Sequence, residues 1–211
     1  MNTNINNLTE SQFNELNQLT DEYNQAMLLS NQINCKTVVF YGGAMLGENT
    51  QTYKDIENLA GIFAKNNWGV ITGGGPGVMT AGLSAAKNNL STAVAFRINI
   101  RKEQPKIKAD IDGLFEHFSP RKYALRSGDV YIYCPGSVGT LDELMENLDL
   151  MKTGKMPIKP IYLYNSSYWS GLVDWIKTTI VEEWKLGLPN LLDLFKVIDD
   201  PQEIIVDIFG K

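Results

Sequence analysis

The chain has little histidine and little cysteine. It has one histidine, His117, and two cysteines, Cys35 and Cys134, about a hundred residues apart. The cysteines form no C-x-x-C pair, so neither a disulfide framework nor a zinc ribbon is expected, and each is more typical of a small buried residue. One histidine cannot build a histidine-rich metal site, and a triad of the Ser-His-Asp type would have to use His117. That residue lies in the alternating run Leu-Phe-Glu-His-Phe, which favours a structural role in a strand.

Long hydrophobic runs and an excess of positive charge are also missing. No apolar run approaches the ~18–20 residues that a membrane span needs. The polar first 34 residues lack the basic start and apolar centre of a signal peptide. We therefore expect a cytoplasmic protein with no membrane partner. The formal net charge of −5 argues against a nucleic acid polymer as partner, although it is compatible with a local anion site built from backbone N–H groups.

The composition is that of a globular domain, with 44% hydrophobic and 20% charged residues among 211. Apolar runs of about five residues alternate with amphipathic stretches of ten or more, which is typical of βαβ units. The sequence predicts an α/β fold: one Rossmann-like, doubly wound parallel sheet with helices on both faces over residues 35–211, after an N-terminal helical extension over residues 1–34. The predicted strands are 37–41, 68–72, 92–96, 114–118, 130–134, 160–164 and 195–199. The predicted helices lie around 13–27, 53–63, 78–88, 121–127, 140–151, 168–184 and from 201 onward, with an irregular loop over 98–112.

Glycine-rich turns follow three predicted strands, at 42–43, 73–77 and 136–139. Glycine lets the backbone approach a ligand closely, and the N-terminus of the following helix presents free N–H groups to an anion, most often a phosphate. In doubly wound folds, ligands bind at the carboxyl ends of the strands, which is where these turns fall. The turns therefore predict a phosphate-containing ligand.

The usual nucleotide fingerprints do not fit. After Gly73, Gly75 and Gly77, a dinucleotide fingerprint G-x-G-x-x-G needs glycine where Val78 stands. A Walker A loop is absent as well, because Met156 follows the nearest pair, Gly154-Lys155, and Asp149 stands where the first glycine should be. A mononucleotide or a sugar phosphate remains as the expected ligand.

Three segments resemble the LOG ("Lonely Guy") family, whose members were long labelled lysine decarboxylases. Residues 73–79, Gly-Gly-Gly-Pro-Gly-Val-Met, resemble its G-G-G-x-G-x-M segment, and residues 135–143 resemble its P-G-G-x-G-T-x-x-E signature. Arg121-Lys122 is similar to the arginine–lysine pair that precedes the signature. The resemblance covers about residues 36–208, with one departure: Ser137 stands where the family has a second glycine. If that position needed positive φ, serine would cost about 1 kcal/mol or more; otherwise its hydroxyl could donate to a phosphate.

The resemblance implies hydrolysis of the N-glycosidic bond of a nucleoside 5′-monophosphate, AMP-like or a cytokinin riboside monophosphate, to free base and ribose 5-phosphate. It implies no metal, no cofactor, and a homodimer or larger homo-oligomer with the site near the subunit interface. The alternative is a non-catalytic nucleotide or molybdopterin carrier, or a nucleotide sensor, on the same fold. The decarboxylase label is disfavoured, because the chain has no His-Lys dipeptide of the kind a pyridoxal-phosphate lysine would suggest.

The same resemblance, together with the chemistry of glycoside cleavage, assigns the site residues. Glu143 would stabilise the cationic sugar or orient water, and Arg121 would act electrostatically on the nucleotide or the leaving base. For Glu143 a helix-dipole role is the alternative, and for Arg121 a surface pair with Asp129. The predicted phosphate- and nucleotide-binding residues are Gly43, Gly74, Gly75, Met79, Lys122, Gly136, Ser137, Val138, Gly139 and Thr140.

Overall fold

The structure is a computed structural model that describes residues 8–100, 106–187 and 189–210. The strands are β1 Thr37–Tyr41, β2 Gly69–Thr72, β3 Ala93–Ile98, β4 Ile111–Phe115, β5 Val130–Tyr133, β6 Ile161–Tyr164 and β7 Lys196–Ile198. The helices are α1 Glu10–Ser30, α2 Gln51–Lys65, α3 Val78–Asn88, α4 Phe118–Leu125, α5 Val138–Lys152, α6 Ser166–Trp175 and α7 Pro201–Phe209. A π-helix, Ile176–Glu183, follows α6, and a 3₁₀ helix, Pro189–Leu194, precedes β7.

The strands form one parallel sheet in the order β4-β3-β2-β1-β5-β6-β7. Central strands such as β1 and β5 are buried along their whole length, as expected when helices cover both faces of a parallel sheet. One hydrophobic cluster joins the sheet to α2, α3 and α7. A second joins its other face to α1, α4, α5 and α6. The predicted Rossmann-like fold is therefore confirmed.

The winding of the chain reverses between β1 and β5. Val39 of β1 is paired with Ile71 of β2 on one side and with Tyr131 of β5 on the other. From this point the strand order runs in opposite directions, and the chain leads from β1 and from β5 to helices on opposite faces of the sheet. Such a switch point is where doubly wound folds leave a crevice for ligands.

The N-terminal helix α1 begins at a capping box, in which the Thr9 hydroxyl accepts from Gln12 N–H while the Gln12 side chain accepts from Thr9 N–H. It packs on α4 and β4. Within the described residues, no helix is long and apolar enough to cross a membrane.

The strand prediction for residues 114–118 was wrong in its bounds. The strand is β4, Ile111–Phe115, and it pairs with β3 from Val94↔Ile111 onward. His117 is not in a strand but occupies the N-cap position of α4, which starts three residues before the prediction. The reason is Pro120, whose missing N–H costs nothing in the first turn of a helix and whose fixed φ suits it.

The single long helix predicted for 168–184 was also wrong. α6 ends at Trp175 and the chain widens into the π-helix, where Trp184 N–H reaches back five residues to the Thr179 carbonyl. β-Branched residues crowd this segment, which weakens an α-helix. The Thr178 hydroxyl also donates to the Asp174 carbonyl, a bond that tends to bend helices.

Candidate functional site

A cleft of about 610 Å³ lies at the carboxyl ends of β1, β2 and β5, over the switch point. Its lining brings together eight of the twelve predicted site residues: Gly43, Met79, Arg121, Gly136, Ser137, Gly139, Thr140 and Glu143. These residues come from the loops after β1 and β5 and from α3, α4 and α5. The fold thus gathers segments that are about 100 residues apart in sequence.

Arg121 and Glu143 form a buried ion pair in this cleft. Arg121 Nη1 lies 3.1 Å from Glu143 Oε1, and only 8% and 12% of the two side chains are exposed. Arg121 Nε also donates to the Phe96 carbonyl at 2.8 Å. The alternative of a surface pair between Arg121 and Asp129 is wrong, because Asp129 instead accepts from Thr37 N–H at 2.8 Å. Two fixed contacts therefore aim the guanidinium at the carboxylate.

The environment of Glu143 shifts the pKa of its carboxyl group to near neutrality. Burial raises the pKa of Glu143 to about 7, although the charge of Arg121 opposes the rise. A carboxyl group with a pKa near the working pH can both hold and accept a proton at useful rates. The pair is therefore suited to acid–base chemistry and not only to structural support.

A buried polar column supports Glu143 from below. The Tyr133 hydroxyl donates to the Glu143 carbonyl at 3.2 Å and accepts from Asn147 Nδ2 at 2.7 Å. The Tyr133 ring stacks on Tyr41, with centroids 4.5 Å apart. These contacts join the second turn of α5 to β5 and β1, so the helix that carries Glu143 cannot shift along the sheet without breaking them.

Gly73 is a site residue that the sequence reasoning missed. A Cβ on Gly73 would lie 2.2 Å from Arg121 Nη2, so the guanidinium occupies the space that any side chain would fill. The glycine run 73–75 was the available signal, but identical glycines do not show which one faces the ligand. Gly74 instead has φ +74° and packs on Arg97, and Gly75 N–H contacts Met79 Sδ at 3.4 Å.

Replacing Gly73 with alanine should displace the Arg121 guanidinium, and any activity that uses this group should fall about 10- to 100-fold, as when a reacting group is misplaced by about 1 Å. The fold should survive, because the backbone at Gly73 does not need positive φ. Activity and thermal unfolding of the purified variant would measure both effects. Gly171→Ala is the matched control, because a Cβ there meets no atom within 4 Å. Full activity in Gly73→Ala would contradict the assigned role of this glycine.

The three loops around the cleft are tied together through backbone atoms. Gly43 N–H donates to the Pro135 carbonyl at 2.9 Å, which joins the loops after β1 and β5. Gly77 has φ +68°, and a Cβ on it would lie 2.4 Å from the Gly43 carbonyl oxygen. Only glycine fits so close an approach with that φ. The loop after β2 is thereby fixed against the loop after β1.

The N-terminus of α5 faces the cleft as a ready anion site. Ser137 is its N-cap residue with φ −114° and ψ −162°, an extended conformation that any residue adopts. Serine in place of the family glycine is therefore not strained, and its hydroxyl makes no capping bond. The Tyr168 hydroxyl, which the sequence reasoning missed, donates to the Gly136 carbonyl at 2.8 Å and so holds this loop.

The model of the family described as "Possible lysine decarboxylase" matches residues 71–208, which include the glycine-rich loop and both members of the ion pair. The chain belongs to this family. The match confirms the resemblance to the LOG proteins. Comparison with curated proteins finds no significant match.

Solved structures share the fold of this LOG-family chain at low identity. The molybdenum cofactor binding protein of Rippkaea orientalis is 20% identical, with a TM-score of 0.61, over 84% of this chain and 98% of that one. The molybdenum cofactor carrier protein of Chlamydomonas reinhardtii is 17% identical, with a TM-score of 0.58, over 84% and 98%. DNA processing protein A of Streptococcus pneumoniae is 16% identical, with a TM-score of 0.51, over 85% and 62%. At these identities the likeness concerns the fold alone.

Four residues predicted from the LOG motifs lie outside the lining of the cleft: Gly74, Gly75, Lys122 and Val138. Lys122 Nζ instead pairs with Asp142 and Glu146 of α5, at 3.0 and 3.1 Å. Val138 begins α5 with its side chain 79% exposed. These four residues do not line the cleft, and their contacts with a ligand stay predictions.

The outer wall of the cleft is apolar, which the sequence reasoning also missed. Its side chains are Met45, Leu46, Ile98, Ile100 and Phe118. Met45 is almost fully exposed and Phe118 about half exposed. A flat apolar group such as a nucleobase can pack here while its polar end reaches the ion pair. Within the described ranges, no three His, Cys, Asp or Glu side chains are grouped to hold a metal ion.

Proposed function

We propose that this LOG-family protein hydrolyses the N-glycosidic bond of a nucleoside 5′-monophosphate, such as AMP or a cytokinin riboside monophosphate. The products are the free base and ribose 5-phosphate. The observation that carries the proposal is the buried Arg121–Glu143 pair beside the N-terminus of α5. A pure binding site gains little from a buried carboxylate with a pKa near 7, because such a group costs stability.

The 5′-phosphate is assigned to the N-terminus of α5. Backbone N–H groups of residues 138–140 have no partner within the helix and carry its partial positive charge. Glu143 lies three residues beyond Thr140, about 5 Å along the helix axis. That separation suits a ribose whose phosphate is held by the helix end and whose anomeric carbon faces the carboxylate.

The chemistry follows from where charge develops. As the C1′–N bond breaks, positive charge grows on the ribose and negative charge on the base. The Glu143 carboxylate stabilises the cation and accepts a proton from the water that adds to C1′. The proton then passes to the departing base, so that atoms and charge balance. Arg121 stays charged, holds Glu143 and offers its remaining N–H groups to the base as it becomes anionic.

The rate should depend on pH through Glu143. We expect kcat/KM to rise about tenfold per pH unit below the Glu143 pKa of about 7 and to level off above it, since the ionised form is the active one. Assays of base release between pH 5.5 and 8.5 would measure this. The nucleotide phosphate also ionises, near pH 6. Titration of the free nucleotide by ³¹P NMR distinguishes this ionisation from that of Glu143. A flat profile would contradict the role of Glu143 as the ionised group.

A non-catalytic carrier is the second candidate, favoured by the neighbours whose names describe molybdenum cofactor binding or transport. The same cleft could hold a ligand that contains a phosphate and a flat ring without cleaving any bond in it. The buried Arg121–Glu143 ion pair has no evident role in a carrier.

The deciding experiment is a chromatographic assay of the purified protein with AMP, GMP, CMP, IMP and UMP, run beside the Glu143→Gln variant. Base and ribose 5-phosphate released by the wild type and lost in the variant would support the proposal and identify the base. Nucleotide binding by calorimetry without release would reject hydrolysis in favour of the carrier. If no nucleotide is bound and none is cleaved, a nucleotide ligand is rejected for both the hydrolase and the carrier.

A further inference from the structure

α1 buries a carboxylate that the proposed reaction does not use. Glu22 is only 7% exposed. Its Oε2 accepts from His117 N–H at 3.0 Å, and its Oε1 lies 3.1 Å from His117 Nδ1 and 3.2 Å from Gln18 Nε2. A buried charge is retained only where hydrogen bonds offset its loss of water. The contacts with His117 and Gln18 therefore hold the Glu22 carboxylate in one orientation.

His117 is the N-cap residue of α4, and its own side chain makes no capping bond. The carboxylate of Glu22 reaches this helix end from another helix, where it meets the positive end of the α4 dipole. Burial raises the pKa of Glu22, but the hydrogen bonds from His117, and the charge on its ring when protonated, lower it overall. Glu22 is thus ionised at neutral pH and acts as a cap that α4 lacks in its own sequence.

The short helix α4 supplies two residues that line the cleft. Phe118, its first residue, lines the cleft, and Arg121, one turn later, forms the ion pair with Glu143. Its far side is held by Lys122 and Arg126, which pair with α5. The cap supplied by Glu22 fixes the other end, where α4 leaves β4.

We propose that Glu22 is a positioning residue, which anchors the start of α4 through His117 so that Phe118 and Arg121 keep their places in the cleft. The inference rests on the proposed function. It gives α1 a role in the site, although α1 lies outside the segment 71–208 that the family model matches. The cap comes from residue 22, nearly a hundred positions before α4 in sequence.

The test compares Glu22→Ala, Glu22→Gln and a control, Glu15→Ala, an exposed glutamate on the same helix. Hydrogen exchange of residues 118–125 in the free protein reports the anchoring of α4 without any ligand. The rate of base release gives kcat and KM. Its substrate is AMP, or whichever of the five nucleotides the chromatographic assay shows to be cleaved fastest. Both are measured well below the thermal midpoint of each variant.

We expect Glu22→Ala to speed exchange in α4 while α5 is unchanged, and to lower kcat about 10- to 100-fold with a smaller change in KM. Glu22→Gln should restore most of kcat, because its amide oxygen still accepts from His117 N–H. Glu15→Ala should match the wild type. Unchanged α4 exchange in Glu22→Ala, or faster exchange with wild-type kcat, would overturn the inference.

The two proposals fail in different ways. A wild type that releases no base rejects the proposed function, and Glu22 is then judged by α4 exchange and by the nucleotide affinity of Glu22→Ala. If either that affinity or the exchange equals that of the wild type, the inference fails as well. A wild type that releases base, with Glu22→Ala equally active, rejects the inference alone.

Discussion

Glu143→Gln should lower the rate of base release about 10²- to 10⁴-fold, the range for losing a positioned acid–base group. Glutamine has nearly the same shape and can still accept from Arg121, so nucleotide affinity should change little. Single-turnover assays, with calorimetry on the same protein, separate the chemical step from binding. A variant that binds normally and does not react would place Glu143 in the chemistry.

The same substitution should stabilise the protein at high pH. Because burial raises the pKa of Glu143 to about 7, the unfolded chain ionises first, and the free energy of unfolding of the wild type falls as pH rises from about 4.5 to about 7. The full effect is about 3 kcal/mol, because a tenfold difference in ionisation corresponds to about 1.4 kcal/mol. We expect Glu143→Gln to be about 1–3 kcal/mol more stable than the wild type at pH 8 and nearly equal at pH 4.5.

Glu146→Gln is the matched control. It lies on the same helix, is ion-paired with Lys122 and Arg126, and does not line the cleft. We expect its activity to stay within a few-fold of the wild type. Equal loss of activity in both variants, or a Glu143→Gln protein that is less stable at pH 8, would contradict the assignment.

Arg121→Met should produce the largest combined loss. It removes the donor to the Phe96 carbonyl and leaves Glu143 without its cationic partner. We expect about 2–4 kcal/mol less stability at pH 8, and less of a loss at pH 6, where Glu143 can take a proton instead. Base release should fall at least about 10²-fold, as when a preorganised donor is removed. Denaturant unfolding at both pH values and the base-release assay would measure these effects.

Arg126→Met controls for loss of an arginine at the end of the same helix, where Arg126 is the C-cap residue. Arg126 pairs with Glu146 at 2.6 Å, and neither residue lines the cleft. Its replacement should cost about 1 kcal/mol or less, as for partly exposed pairs, with activity retained. If Arg126→Met lost as much activity as Arg121→Met, the effect would belong to α4 as a whole and not to the guanidinium in the cleft.

The layered fold was predictable because short apolar runs and amphipathic stretches follow different periods. The meeting of Arg121 with Glu143 was predictable because both residues stand in recognisable motifs. Phosphate binding at the start of α5 stays a prediction. β4 was misplaced because its edge position gives an alternating pattern that continues through His117, where Pro120 had already started a helix. The π-helix was missed because its side chains follow the same amphipathic pattern as an α-helix.

Contacts between distant segments were beyond sequence reasoning. Gly73 looks the same as Gly74 in a sequence, although only a Cβ on Gly73 would collide with Arg121. Glu22 looks like a solvent-facing residue on a polar helix, yet it is buried against His117, 95 positions away. Such contacts depend on how helices are placed over the sheet, which no local pattern encodes.

The backbone ties between Gly43, Pro135 and Gly77 divide the cleft into two parts with different freedom to vary. The floor consists of the loops after β1, β2 and β5, to which we assign phosphate and ribose. Because these loops contact one another through backbone atoms, a substitution in one of them requires a compensating change in the others. The rim, with Met45 and Ile100, contributes side chains that no such tie constrains. The rim is therefore the part of the cleft in which substitutions disturb the fewest contacts, and redesign of the protein for a different ligand would begin there.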